Sequence, residues 1–144
     1  MRALVFALVL LFASAAQAEY KLRITEDQVI HNPEEWEIAS DAGSYKIYVL
    51  KESTNSTEKY PIVYTVVELV PPREMIKSMP KVLRIYTAGI MECPNQLFNL
   101  MDEYYVDENN RIVYVRLYDT EESVVEMRTP GTARRAVYEK VCAH

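Results

Sequence analysis

Glycine and histidine are scarce in this chain of 144 residues, and each scarcity excludes a class of site. The three glycines are too few and too scattered for a glycine-rich loop that cradles phosphate. His31 falls in an irregular segment and His144 is the last residue, so neither lies where a fold would position a catalytic base. We therefore predict a protein without enzymatic activity, and we expect no cofactor and no metal ion.

Basic residues are outnumbered by acidic residues, 16 to 21, which gives a net charge of −5. A net acidic domain lacks the bulk charge with which proteins hold nucleic acids or anionic membranes. We therefore expect no nucleic-acid partner. The apolar fraction of 49% and the charged fraction of 26% are typical of a globular chain rather than a disordered one.

Long apolar runs are missing everywhere except at the N-terminus. Arg2, the apolar run 3–13 and the Ala16-Gln17-Ala18 tripeptide form the three parts of a cleavable export signal. The run is shorter than the ~20 residues that a membrane-spanning helix needs. We predict that residues 1–18 are a cleaved signal peptide, that 19–34 form an irregular lead-in and that 35–144 form a single domain. The expected product is exported to the periplasm, the medium or the cell surface, with no membrane span.

The chain has two cysteines, Cys93 and Cys142. In an oxidising compartment an isolated pair most simply forms one disulfide, and two buried free thiols are the alternative. The spacing is not that of a Cys-x-x-Cys redox motif, and the histidines do not fall at zinc-ligand spacing from the cysteines. We predict a Cys93–Cys142 disulfide.

Six segments have strand-like patterns, with alternating polarity or many β-branched and aromatic residues. They are residues 35–40, 45–50, 60–70, 82–92, 96–106 and 112–118. Short polar turns connect several of them, which favours an antiparallel meander. Pro71-Pro72 is expected to end the third strand because neither proline can donate to a ladder. Residues 51–59 are polar and are expected to form a loop.

The C-terminal segment has a helical period instead. Its apolar stripe consists of Ala133, Ala136, Val137 and Val141. Thr129 is the expected N-cap, with Pro130 at the first helical position. A helix this short is not stable alone in water, so it must pack on the sheet. The predicted fold is α+β: an antiparallel sheet of about six strands, with the C-terminal helix packed on it and tied by the disulfide.

Acidic residues cluster at Asp102-Glu103, at Asp107-Glu108 and in 119–122. A pair of carboxylates could act in a glycosidase. Because acidic side chains are mostly exposed, solvated turns and strand ends are the favoured interpretation of these clusters.

Basic residues cluster in two segments, 73–84 and 128–140, each with a net charge of +3, whereas residues 102–126 carry −6. A basic face made from the loop after Pro72 and the C-terminal helix could steer an anionic partner. The alternative is an ordinary solvated surface whose basic side chains pair with the chain's own acids. The candidate partner contacts are the basic side chains Lys77, Lys81, Arg84, Arg134 and Arg135.

Several motifs resemble the bacterial surface-adhesin protein E family and occur in that family's order. The run Trp-Glu-Ile-Ala-Ser-Asp-Ala-Gly-Ser-Tyr-Lys-Ile-Tyr-Val, residues 36–49, resembles its opening hairpin. Lys77-Ser78 resembles the step before its central strand, and Cys93 resembles the cysteine that ends that strand. Thr129-Pro130-Gly131-Thr132-Ala133, followed by Ala136 and Cys142, resembles its closing helix and second cysteine. The resemblance covers residues 35–142.

The resemblance implies an antiparallel sheet of about six strands with a disulfide-tied C-terminal helix, and it implies an exported protein without enzymatic activity. The family's namesake is an adhesin that binds host laminin, vitronectin and plasminogen. This chain has Leu50-Lys51 where the family often has an aspartate, and no cysteine for a lipid anchor follows the predicted cleavage site. The leading hypothesis is a protein-binding module for host matrix or serum proteins. The alternative is a periplasmic inhibitor or accessory partner of an envelope enzyme.

Overall fold

The structure is a computed structural model, and it describes residues 22–119 and 123–142. The predicted signal peptide, residues 1–18, and His144 lie outside the described residues. The strands are β1 (Ile24–Thr25), β2 (Gln28–Val29), β3 (Trp36–Asp41), β4 (Tyr45–Leu50), β5 (Ile62–Arg73), β6 (Val82–Glu92), β7 (Leu97–Val106), β8 (Ile112–Leu117) and β9 (Val124–Glu126). The α-helices are α1 (Lys51–Thr54) and α2 (Ala133–Cys142), and Pro33–Glu35 form a 3-10 turn.

Seven of these strands form one antiparallel sheet in the order β3-β4-β5-β6-β7-β8, with β9 paired to β7. β8 pairs with residues 102–106 of β7, and β9 pairs with residues 97–99, so both lie along the same side of β7. The predicted antiparallel sheet is confirmed. The sequence pattern missed β9, because a segment of three residues is too short to display an alternation.

Helix α2 covers one face of the sheet, which we call the helix face. The buried residues beneath it form a single apolar cluster: Val49, Val63, Met91, Phe98, Met127, Val137 and Val141. Strand alternation brings the sheet members of this cluster to the same face. Val137 and Val141 belong to the predicted helical stripe, so the packing of the helix on the sheet is confirmed.

The C-terminal end of α2 is held by several contacts. Cys93 and Cys142 form the predicted disulfide, with their Cα atoms 5.5 Å apart. The Tyr138 hydroxyl donates a hydrogen bond to the Cys93 carbonyl at 2.8 Å. Lys140 Nζ donates to Glu37 Oε1 at 2.7 Å, which links the helix to β3.

The start of α2 differs from the prediction. The helix begins at Ala133, and the side chain of Thr132 accepts the Arg135 backbone N–H at 3.2 Å, so Thr132 takes the capping role expected of Thr129. Gly131 lies between them with φ of +77°, a conformation that no right-handed helix contains. A helix starting at Pro130 is therefore excluded.

The opposite face, which we call the lead-in face, is covered by the N-terminal segment. Its buried cluster comprises Val29, Trp36, Leu50, Val66, Tyr86 and Val106. The lead-in is more ordered than predicted, because β1 and β2 pair with each other and Val29 is only 2% exposed.

Two further expectations were wrong. β5 does not end at the prolines but runs on to Arg73, because a register shift between Glu68 and Arg73 takes Pro71 and Pro72 out of the ladder with β6. Residues 51–54, expected in a loop, form the single turn α1. Its Thr54 hydroxyl donates to the Lys51 carbonyl at 2.8 Å, and such local bonding stabilises a short turn.

Candidate functional site

Lys77 and Lys81 lie in the loop between β5 and β6, and both are exposed. The loop is closed by hydrogen bonds from the Met79 N–H to the Ile76 carbonyl at 3.1 Å and from the Ser78 N–H to Glu74 Oε1 at 3.2 Å. Within the described part of the chain, neither lysine belongs to an ion pair. Their charges are therefore accessible to a partner.

Arg84 has a structural role instead. Its Nε donates to Glu68 Oε2 at 2.9 Å, and its Nη1 donates to Asn110 Oδ1 at 3.0 Å. The register of β5 and β6 places Glu68 and Arg84 directly opposite each other on the lead-in face. The guanidinium thus joins two strands and the turn after β7, and it is mostly shielded from solvent.

The two arginines of α2 also differ in whether their charge is paired within the domain. Arg135 donates to Glu139 Oε1 at 3.1 Å and to Gln96 Oε1 at 2.6 Å, and its guanidinium lies 4.6 Å from the centre of the Tyr138 ring. Arg134 is exposed and, among the described residues, has no ion-pair partner. Of this pair, Arg134 is the one that can contact a partner.

The five basic candidates do not form one face. Arg134 lines the same groove as Thr65 and Thr87, which lie on the central strands β5 and β6. From Thr65, β5 continues to Arg73 before the loop of Lys77 and Lys81 begins, and such a length of strand spans about 26 Å. The basic charge that the sequence suggested is therefore split between two regions.

A groove of about 300 Å³ runs along the N-terminal end of α2 on the helix face. Its floor is largely apolar, with Ile47, Val67 and Leu100, and the hydroxyl-bearing Thr65 and Thr87 lie among them. Glu103 and Arg134 add one charge of each sign. The groove is shallow and offers no residue arranged as a nucleophile with a base.

The acidic pair Asp102-Glu103 was expected beside a turn. It lies instead within β7. Strand alternation sends the two side chains to opposite faces of the sheet. The Tyr118 hydroxyl donates to Glu103, and burial together with this carboxylate raises the pKa of Tyr118 to about 12. Asp107 does cap a turn, accepting the backbone N–H groups of Asn109 and Arg111 at 2.8 and 3.0 Å.

His31 lies in an aromatic cluster on the lead-in face. Its ring stacks on Trp36 with centroids 5.9 Å apart and meets Tyr86 edge-on at 5.8 Å. Desolvation, followed by the charge of Arg84, lowers the pKa of His31 to about 4. The imidazole is therefore neutral near pH 7, and it packs against the buried rings of Trp36 and Tyr86.

The outer edge of β8 is the feature that sequence reasoning missed. β8 ends the order of strands in the sheet. Leu117 is 77% exposed, and Tyr114 and Val115 are each 41% exposed. Arg116 is exposed as well, with its guanidinium 4.6 Å from the centre of the Tyr118 ring. An apolar strand at the edge of a sheet is an unusual surface for a protein that has no partner.

The backbone of this edge is also available. The Tyr118 N–H donates inward to the Met101 carbonyl at 3.0 Å. Because antiparallel pairing alternates along a strand, the N–H and C=O groups of Val115 and Leu117 point away from β7. The beginning of β8 is covered, since the Ile112 N–H donates to the Asp27 carbonyl of the lead-in at 2.7 Å. Within residues 22–119 and 123–142, no strand pairs with the outer side of Val115–Leu117, whose inner side pairs with β7.

The opposite edge strand, β3, is protected in the usual way. It carries Glu37 and Asp41, and charged side chains on an edge discourage pairing with another chain. β8 carries only Arg116. The sequence did contain a signal, because the run from Ile112 to Val115 is apolar at successive positions, although an outer strand normally alternates.

Searches for related proteins found no match to any family model, curated protein or solved structure. Within the described residues, no group of histidine, cysteine, aspartate and glutamate side chains is arranged to hold a metal ion. None of the helices in the described part is long and apolar enough to cross a membrane.

Proposed function

We propose that the protein is an exported, non-enzymatic protein-binding module that resembles surface-adhesin protein E and binds host extracellular-matrix or serum proteins. The observation that carries the proposal is the open apolar edge of β8. The disulfide supports export, since such bonds persist in oxidising compartments. The motifs of residues 36–49 and 129–142 support the relationship to the adhesin family.

Binding occurs by strand addition. An extended segment of the partner pairs with the outward N–H and C=O groups of Val115 and Leu117, and its apolar side chains pack against theirs. On the other side of β8, Arg116 is held against the Tyr118 ring and pairs with a carboxylate of the partner. Backbone pairing supplies the affinity, and these side chains select the sequence of the segment.

The accessible basic residues steer the partner toward the protein. Lys77, Lys81 and Arg134 carry exposed charges, whereas Arg84 and Arg135 are engaged within the domain. Steering by exposed charge acts mainly on the association rate and weakens with salt. Reversing the charge of Lys77 and Lys81 is expected to slow association and to reduce its salt dependence, with little change in the dissociation rate.

The test is surface plasmon resonance with immobilised laminin, vitronectin and plasminogen. Two variants disable the edge in different ways. Val115→Pro removes an outward donor while leaving the pairing with β7 intact, and Leu117→Lys places a charge on the apolar surface. Each is expected to lower affinity by at least about tenfold, since the loss of a few backbone hydrogen bonds or of an apolar contact suffices for that change. Tyr60→Lys, which charges an exposed apolar residue away from the edge, is the matched control.

Equal affinity of both edge variants and the wild-type protein would show that β8 is not the binding edge. Failure of the wild-type protein to bind any of the three host proteins would refute the adhesin role itself. Circular dichroism of each variant establishes that it is folded before its affinity is compared.

The alternative, an accessory partner or inhibitor of a periplasmic enzyme, uses the same edge with a different partner. Protease treatment of intact cells distinguishes the two. An adhesin is cleaved while a periplasmic marker survives, whereas a periplasmic partner is protected until the outer membrane is opened.

A further inference from the structure

A pocket beside the apolar side of β8 supports a second inference, since its Asp102 and Tyr104 lie directly opposite Leu117 and Val115 in the β7–β8 register. A pocket of about 380 Å³ opens on the lead-in face. Its apolar walls come from the lead-in and from β5, and two tyrosines face it from β5 and β7. The residues on which the inference depends are Leu22, Ile24, Ile62, Tyr64, Asp102 and Tyr104.

Asp102 is an unusual residue for such a place. A register shift between β6 and β7, opposite Ala88 and Gly89, sets the position of Asp102 on the lead-in face. Its Oδ1 atom is shielded from solvent and accepts no hydrogen bond from any residue that the structure describes. No lysine, arginine or histidine is among the described residues that line the pocket. Asp102 therefore borders an apolar pocket, and one oxygen of its carboxyl group is unsatisfied and shielded from solvent.

A carboxylate oxygen that is shielded from water and accepts no hydrogen bond is costly, and the cost is removed either by a proton or by a cation. Burial raises the pKa of Asp102 above its ordinary value, and a hydrogen bond from the Ala88 backbone offsets this only in part. The pKa of Tyr104 is raised as well, by burial and by the charge of Asp102. Both shifts mean that negative charge is disfavoured in the pocket, so a cationic ligand fits it better than an anionic one.

We propose that this pocket binds an alkylammonium group, with the ammonium on Asp102 and the alkyl chain against Leu22, Ile24 and Ile62. A carboxylate at the base of an apolar pocket complements a cation that carries an apolar chain. The faces of Tyr64 and Tyr104 add attraction for the cation. An alkylammonium group is supplied either by a small amine or by a lysine side chain, and the chemistry of recognition is the same for both.

The test uses the full exported protein and three probes of equal chain length: n-hexylammonium, 1-hexanol and hexanoate. Binding is followed by NMR, both from amide shifts around the pocket and from the carboxyl carbon of Asp102. We expect n-hexylammonium to bind at least about tenfold more tightly than 1-hexanol, the difference that one charge-assisted hydrogen bond supplies, and hexanoate not to bind. The ammonium is also expected to lower the pKa of Asp102. Binding of Nα-acetyl-lysine amide as well would identify a lysine side chain as a source.

Asp102→Asn keeps the shape of the side chain and removes its charge, so it should abolish the preference for the ammonium over the alcohol. Glu126→Gln, the same change at an exposed site on β9, should leave that preference unchanged. Equal binding of the ammonium and the alcohol by the wild-type protein would overturn the proposal. So would an Asp102 pKa below its ordinary value in the protein without ligand, since the chain's own cation would then already occupy the site. Both results are read from the pocket with small probes and with β8 unchanged, so this proposal and the adhesin proposal fail separately although Leu117 lies opposite Asp102.

Discussion

The hydroxyl of Tyr86 lies 2.9 Å from Nδ1 of His31, within hydrogen-bonding distance. Trp36 completes the cluster, with its ring centre 5.9 Å from that of Tyr86 and of His31. The contact joins the lead-in to β6, near the centre of the sheet. It holds the lead-in against the lead-in face, where Val29 is buried, and it shields part of the imidazole from water.

This contact makes the stability of the protein sensitive to acid. Because the pKa of His31 is about 4 in the folded protein and 6.5 in its unperturbed form, the unfolded chain binds more protons between these values. The free energy of unfolding should therefore fall as the pH is lowered from 6.5 toward 4. Urea unfolding at both ends of this range measures the fall. His31→Gln should show a smaller fall than the wild-type protein, and an equal fall in both would contradict the assignment to His31.

The disulfide should contribute much of the stability, because it closes a long loop between residues 49 apart in sequence. Restricting the unfolded chain by a loop of this length is worth roughly 4 kcal/mol. The double variant Cys93→Ala/Cys142→Ala should lose about this amount in urea unfolding. As a control, dithiothreitol should destabilise the wild-type protein and leave the double variant unchanged. Equal stability of the oxidised and reduced wild-type protein would contradict the prediction.

Gly89 is required by a close approach of β6 and β7. A Cβ atom at this position would lie 2.5 Å from the Asn99 carbonyl oxygen and 2.6 Å from Cε2 of Phe98. Gly89→Ala should therefore cost on the order of 1–3 kcal/mol, as overpacking does. Gly43→Ala is the comparison, because a Cβ atom added at Gly43 would meet no atom within 4 Å. Its expected cost of ~1 kcal/mol comes only from the positive φ of this residue. If thermal unfolding showed a greater loss of stability for Gly43→Ala than for Gly89→Ala, β6 and β7 would be able to move apart and admit a Cβ atom.

Arg84 is predicted to matter for stability rather than for binding. Arg84→Met leaves Glu68 half-buried without its ion-pair partner and should cost about 1–3 kcal/mol. The double variant Arg84→Met/Glu68→Leu should recover part of that loss, because it removes the unpaired carboxylate as well. Affinity for the host proteins should not change in either variant. A loss of affinity without a loss of stability would contradict this prediction and would show that Arg84 contacts the partner.

The strands and the helix were predictable because their signals are local. The β-branched residues of β5 and the polar turns after β3 and β7 are each predicted from a few neighbouring residues. The stripe containing Val137 and Val141 showed which side of α2 is buried. The predictions were wrong where the tertiary structure overrides a local rule. At Pro71-Pro72, for example, a register shift accommodates two prolines inside a strand.

The candidate sites were less predictable, because a charge acquires its role from neighbours that are distant in sequence. Arg84 and Lys81 belong to the same basic segment, yet only Arg84 meets Glu68, 16 residues earlier, and Asn110, 26 residues later. Asp102 and Glu103 are adjacent, yet one faces an apolar pocket and the other accepts a hydrogen bond from Tyr118. No pattern in the sequence distinguishes the members of either pair.

The sequence by itself determined an antiparallel sheet, a short C-terminal helix and the disulfide between Cys93 and Cys142. These follow from local periodicity, turn chemistry and the presence of only two cysteines. Only the tertiary structure decided which basic residues remain accessible, that β8 is an open edge and that Asp102 faces an apolar pocket. Such properties depend on strand order and register, which bring together residues that share no local pattern.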